Sequence, residues 1–184
     1  MRKVVSGLFI SLDGVTEAPN AWQFDNFDED MGAVMGEMLA SVDTMLLGRV
    51  TYEEWARYWP SSTDEPFASF INNIPKFVAS NTLEDVSWGD YDSVSLLGGD
   101  LKAGINTLKA QPGKTISISG SPTLVRSLLE NDLLDELTLM IHPVVVGKGK
   151  KLFFEGMDLK RLELTKVKPT RTGVSIVTYK PRSV

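Results

Sequence analysis

The sequence predicts a three-layer α/β/α protein with a mainly parallel sheet and an antiparallel C-terminal edge. Three observations predict it. Short apolar runs of strand length alternate with segments whose apolar residues recur at helical spacing. Glycine ends several of the strand runs, where the chain must turn sharply into the next helix. The last two apolar runs flank Thr172-Gly173, a hairpin signal.

In chain order, Val4–Ser11 reads as the first strand, closed by Asp13-Gly14. Residues 17–26 form a polar and aromatic loop containing Trp22. Residues 28–39 set Met31, Val34, Met35, Met38 and Leu39 at helical spacing. Residues 44–47 are a short buried strand ended by Gly48. Residues 51–58 read as a helix stopped by Pro60-Ser61-Ser62, and Phe67–Asn73 as another. Lys76–Ala79 is a strand entered from Pro75, and Val94–Leu97 a strand ended by Gly98-Gly99. Asp100 caps a helix reaching Ala110, and Pro112-Gly113 turns the chain into the strand Thr115–Ser119. Gly120 leads into a helix over 122–131. Residues 136–141 alternate as a strand that continues past Pro143 through 146, and residues 162–168 and 174–179 make the final pair. No repeat or long linker interrupts the pattern, so residues 1–184 read as one domain, long enough for one sizeable core.

Composition narrows the function. The net charge of −5, from 24 acids against 19 bases, argues against nucleic-acid or anionic-membrane partners. No apolar run approaches the ~20 residues of a membrane span. The start, Met1-Arg2-Lys3 and the apolar residues 4–12, resembles a signal peptide only as far as Asp13; it reads as a strand. With no cysteine, disulfides, thiolate metal sites and cysteine nucleophiles are excluded, and a cytoplasmic location is expected. A single histidine, His142, argues against zinc, and no metal is expected. It precedes Pro143 in an apolar strand and reads as structural. Trp55 and Trp59, at helical spacing, read as packing residues.

Two strand-to-helix turns carry the chemistry. In Leu47-Gly48-Arg49-Val50-Thr51-Tyr52-Glu53-Glu54, Thr51 and Glu54 have capping-box spacing, so Thr51 is expected to be the helix N-cap. Free amides at a helix start suit an anion, Gly48 allows close approach, and Arg49 can bind a phosphate bidentately. In Ser119-Gly120-Ser121-Pro122-Thr123-Leu124, Ser121 is the expected N-cap and Pro122 takes the first helical position. Each turn alone also fits an ordinary capped helix. Neither is a Gly-x-Gly-x-x-Gly fingerprint or a P-loop, and Gly147-Lys148-Gly149-Lys150 reads as a turn.

These stretches, with Ser11-Leu12-Asp13-Gly14-Val15, Asp135-Glu136-Leu137 and residues 142–153, resemble a known family. The chain is similar to the reductase domain of bifunctional riboflavin-biosynthesis deaminase–reductases, as a stand-alone member with the dihydrofolate reductase fold. The resemblance implies NADPH as cofactor. Arg49 would contact its 2′-phosphate, and Gly48 and Thr51 would lie at that helix start. Gly120, Ser121, Pro122, Thr123 and Leu124 would hold the pyrophosphate, and Ser80 and Asn81 would lie beside the adenine ribose. Ser11 and Val15 would line the nicotinamide, with Asp13 at the position linked to substrate handling. Many relatives carry Gly-Gly where this chain has Gly120-Ser121. Dihydrofolate reductases engage the pterin through a carboxylate on the first helix. Among Asp25, Asp28 and Asp30, Asp28 is the candidate for that role, and Trp22 could stack on a planar substrate.

The expected function is therefore an NADPH-dependent reductase delivering hydride to a planar pterin- or pyrimidine-like small molecule, with Asp13 or a bound water handling the proton. Such a protein would resemble 5-amino-6-ribosylamino-uracil reductase or dihydrofolate reductase. The alternative is an NADPH-binding sensor or interaction protein without catalysis. The resemblance also allows a homodimer, for which residues 162–179 offer apolar strands.

Overall fold

Alternate side chains of the first strand, β1 (Val4–Ser11), enter two different cores. Val4, Leu8 and Ile10 join one cluster, and Phe9 packs in another. A strand buried on both faces belongs in the middle of a sheet, and β1 lies there. The computed structural model describes residues 1–182.

The remaining elements follow in order: α1 (Glu29–Ala40), β2 (Val42–Gly48), α2 (Arg49–Tyr58), α3 (Phe67–Asn73), β3 (Lys76–Ala79) and β4 (Val94–Leu97). Then come α4 (Leu101–Ala110), β5 (Thr115–Ser119), α5 (Pro122–Glu130), β6 (Glu136–His142), β7 (Leu162–Pro169) and β8 (Ser175–Pro181). The strands form one 8-stranded sheet in the order β4-β3-β2-β5-β1-β6-β8-β7. Pairing is parallel from β4 to β6, and β8 joins β6 and β7 antiparallel. The mainly parallel sheet with an antiparallel C-terminal edge is as the sequence predicts.

Helices cover both faces. Ile105 and Leu108 of α4, with Leu124, Val125, Leu128 and Leu129 of α5, pack on Val4, Leu8, Ile116 and Ile118. On the other face, Met31 and Val34 of α1 meet Met140 and Ile176, while Tyr52 and Ile71 of α2 and α3 meet Met45, Leu47 and Val78. Asp28 caps α1 by accepting from Met31 N (2.9 Å), and Asp100 caps α4 by accepting from Ala103 N (2.7 Å).

Below the amino ends of the strands, Arg2 is buried. It pairs with Asp43, donates to Thr44 Oγ1 (2.7 Å) and to Lys114 O (2.7 Å). Lys76, also buried, donates through Nζ to Ile71 O (2.6 Å), Ile74 O (2.8 Å) and Ser93 Oγ (2.8 Å), serving carbonyls around the end of α3. Its burial without a carboxylate partner pulls its pKa down to about 8.

Two boundaries depart from expectation. The strand after Asp135 ends at His142 rather than at 146. Pro143 has no N–H to donate, and Val144 N turns back onto His142 O (2.8 Å) while Val144 O accepts from Leu12 N (2.9 Å). The second helix starts at Arg49, with Gly48 rather than Thr51 at its N-cap. Thr51 lies inside the first turn because its hydroxyl is occupied elsewhere.

Candidate functional site

The carboxyl ends of β2 and β5, which are neighbours in the sheet, feed directly into α2 and α5. In open α/β sheets this edge is where ligands bind. The two helix starts are fastened to each other here. Thr51 Oγ1 accepts from Ser121 N (3.0 Å) and from Ser121 Oγ (2.7 Å), and Ser121 Oγ accepts from Gly48 N (2.8 Å). Ser121 stands at the N-cap position as expected, but in the left-handed region (φ 54, ψ 54) and without a side-chain cap bond. Its hydroxyl reaches across to the other turn instead. Thr51 is likewise not a cap but the acceptor that joins the turns, which corrects the capping-box expectation.

The glycines make this approach possible. A Cβ on Gly48 would sit 3.1 Å from Ser121 Oγ, and one on Gly120 would sit 3.1 Å from Thr51 Cγ2. Gly120 also has φ +61, which L side chains rarely adopt. The first amides of a helix lack intrahelical acceptors. Those of Arg49 and Val50 on α2, and of Thr123 and Leu124 on α5, therefore remain as donors, since Pro122 has none and Ser121 N is taken. Two positive helix ends with main-chain donors can hold an anion of pyrophosphate size.

Arg49 lies along the outside of α2, where its Nη1 meets Glu53 Oε1 (2.9 Å) and Oε2 (3.1 Å). This pair is solvent-exposed and holds the guanidinium only weakly. Thr123 is exposed, and Leu124 is buried in the core below α5. At the ends of β3 and β4, Asn81 Oδ1 accepts from Gly99 N (2.8 Å), while Ser80 Oγ accepts from Thr82 N and Leu83 N. Ser80 and Asn81 thus shape the turn beside the two helix starts.

Farther along the same edge, Ser11 ends β1 opposite His142. Ser11 Oγ accepts from Val15 N (2.9 Å) and donates to Asp13 Oδ1 (2.7 Å). Asp13 also accepts from Val146 N (3.0 Å) and Gly147 N (2.9 Å). The Ser11 hydroxyl and these two amides lower its pKa to about 2. Three donors thus hold the Asp13 carboxylate, which fastens the turn between the end of β1 and residues 146–147. Ser11 and Val15 are buried under this turn.

Asp28 has both oxygens engaged. Oδ1 caps α1, and Oδ2 accepts from Thr172 N (3.0 Å) and Thr172 Oγ1 (3.0 Å) in the turn between β7 and β8. These donors lower its pKa. The carboxylate anchors a hairpin, which does not fit the expected substrate contact. Trp22 lies in the loop beyond β1, with its ring edge-to-face on His142 at 5.4 Å between centroids.

His142, which reads from the sequence as structural, carries a further signal. It is fully buried, and neither ring nitrogen has a hydrogen-bond partner among the described residues. Burial lowers its pKa and keeps the ring neutral. An apolar strand hid a polar group whose missing partner only the fold reveals.

Comparison with known proteins adds a family. The model of the RibD C-terminal domain matches residues 2–177. The Bacillus subtilis (strain 168) protein YyaP is 29% identical over 185 residues, covering 97% of this chain and 94% of YyaP. A solved structure of a protein assigned to riboflavin biosynthesis in Shewanella sp. PV-4 superposes with a TM-score of 0.77 at 24% identity, covering 98% of this chain and 99% of that one. Dihydrofolate reductase from Enterococcus faecalis, complexed with NADP(H), gives a TM-score of 0.66 at 15% identity, covering 98% and 97%. The Thermotoga maritima diaminohydroxyphosphoribosylaminopyrimidine deaminase/5-amino-6-(5-phosphoribosylamino)uracil reductase gives 0.69 at 14% identity, with 98% of this chain lying on 57% of that one. The fold is thus dihydrofolate reductase-like.

Proposed function

The chain belongs to the RibD C-terminal domain family, and on that premise we propose that it is an NADPH-dependent reductase of a planar pyrimidine- or pterin-like compound. The observation that carries this reading is the pair of helix starts locked together through Gly48, Thr51 and Ser121. Bound there, the cofactor would supply a hydride. Thr123 and Leu124 N–H on one side, and Arg49 and Val50 N–H on the other, would hold its pyrophosphate. Ser80 and Asn81 would flank the adenine ribose. Ser11 and Val15, buried under the Asp13 turn, would hold rigid the backbone that lines the nicotinamide.

Arg49 would turn from Glu53 to a 2′-phosphate. An exposed i,i+4 pair is worth only about 0.3–0.5 kcal/mol, so the exchange costs little. A bidentate guanidinium–phosphate contact repays it and discriminates against NADH.

The test is a titration with NADPH and NADH of the natural protein and of Arg49→Ala. The expected result is a clear NADPH preference, lost in the variant through weaker NADPH binding, with NADH affinity little changed. Absence of binding by either nucleotide overturns the cofactor assignment.

A second reading is an NADPH-binding sensor without catalysis. The engagement of Asp13 favours it, because Ser11 Oγ, Val146 N and Gly147 N all donate to that carboxylate. That reading predicts NADPH binding but no NADPH oxidation with any pyrimidine or pterin. A homodimer also belongs with the proposal: Leu164 and Val167 lie exposed on the edge strand β7.

A further inference from the structure

Three buried side-chain polar atoms lack a hydrogen-bond partner among the described residues: Nδ1 and Nε2 of His142, and Oε1 of Gln23. Buried polar groups are paired in the great majority of cases. Here the exceptions fall on His142 and on Gln23, the residue next to Trp22. His142 ends β6, in register with Ser11 at the end of β1, on the ligand-binding edge of the sheet. Its ring meets Phe9 (centroids 5.7 Å apart, 62° between planes) and Trp22 (5.4 Å, 77°), both edge-to-face.

Phe9 belongs to a strand and is fixed. Trp22 belongs to the loop between β1 and α1. Its indole donates only to Glu17 O, at 3.3 Å and on the exposed side. Ala18 in the same loop holds the left-handed conformation (φ 46, ψ 51), which a residue with a Cβ adopts at a cost. Gln23, adjacent to Trp22, carries the third unpaired atom. Trp22 thus packs on His142 from a loop, with a single indole hydrogen bond, whereas Phe9 does so from the central strand.

Resting on the reductase reading above, we propose that His142 recognises the polar edge of the substrate's planar ring, which takes the place of Trp22 against it. A neutral imidazole offers one N–H donor and one lone pair. They point to opposite sides of the ring, so a substrate carbonyl meets the N–H, or a substrate ring N–H meets the lone pair. On the reductase reading, the ligand class that carries such groups is a uracil- or pterin-type heterocycle, with Trp22 displaced onto its face or rim.

The experiment uses NADPH-loaded protein and two probes, 5,6-diaminouracil and pterin, followed by calorimetry and by tryptophan fluorescence, with Trp22→Phe identifying the Trp22 signal. His142→Phe keeps an aromatic ring in the same apolar surroundings and removes both nitrogens. It should fold at least as firmly as the natural protein and bind NADPH with the same affinity. It should lose about tenfold or more in affinity for the probe, as expected for a lost buried hydrogen bond. His142→Gln, which keeps a donor and an acceptor, should recover part of the loss. If Phe crowds the strand end, His142→Leu carries the same test. Equal probe binding by the apolar variant and the natural protein overturns the proposal. So does NADPH-loaded natural protein that takes up neither probe. Failure of the natural protein to bind NADPH is a different result and strikes the reductase reading itself.

Discussion

At the scale of single residues, charge state decides roles that residue type leaves open. Asp13 sits where the family resemblance sets a substrate-handling carboxylate, yet Ser11 Oγ, Val146 N and Gly147 N all donate to it. A folded-state pKa of about 2 lies below the unfolded value of about 3.9, so the charged form stabilises the fold. That contribution is complete above about pH 4 and is lost as pH falls toward about 2. Asp13→Asn should therefore lower the urea midpoint at pH 7, and the gap to the natural protein should close over that acid range. A gap independent of pH would mean that the charge does not matter to the turn. Asp28 teaches the same lesson: the family resemblance makes its carboxylate a candidate ligand contact, and in the fold it accepts from Met31 and Thr172.

At the scale of elements, α2 and α5 work only as a pair. Each turn is legible in the chain as glycine, hydroxyl residue and helix start. Their joining through Ser121 and Thr51, 70 residues apart, is not, because it depends on β2 lying beside β5. Gly120→Ala would impose a left-handed backbone, costing about 1–2 kcal/mol, and would press on Thr51 Cγ2. The expected outcome is a loss of stability of that order with weakened NADPH binding by calorimetry. Gly36→Ala in α1, where nothing lies within 4 Å of the new methyl, is the control. It should stabilise by about 0.5–1 kcal/mol and leave NADPH binding unchanged.

At the scale of the whole molecule, the sheet separates two duties by its ends. The carboxyl ends of the strands carry Gly48, Ser80, Gly120, Ser11 and His142. The amino ends carry the buried Arg2 with Asp43, Thr44 and Lys114. Asp43→Ala leaves Arg2 short of its carboxylate and Lys114 N short of its acceptor. It should cost about 1–3 kcal/mol in denaturant unfolding. NADPH affinity should stay within about twofold, since sites this far apart act independently. A large affinity change would show that the two ends are coupled.

The sequence by itself determined the alternation of strands and helices, the antiparallel C-terminal pair and the two glycine turns. These depend on local period, capping and backbone freedom, which are written in neighbouring residues. Val4–Ser11, Phe67–Asn73 and Thr115–Ser119 form over the residues read from the chain. Only the tertiary structure decided that the hydroxyls of Thr51 and Ser121 bridge the two turns rather than cap their helices, that three donors converge on Asp13, and that His142 lies buried without a partner among the described residues. Each of these depends on the distance between residues remote in sequence, and a hydrogen bond or its absence exists only once packing has fixed that distance.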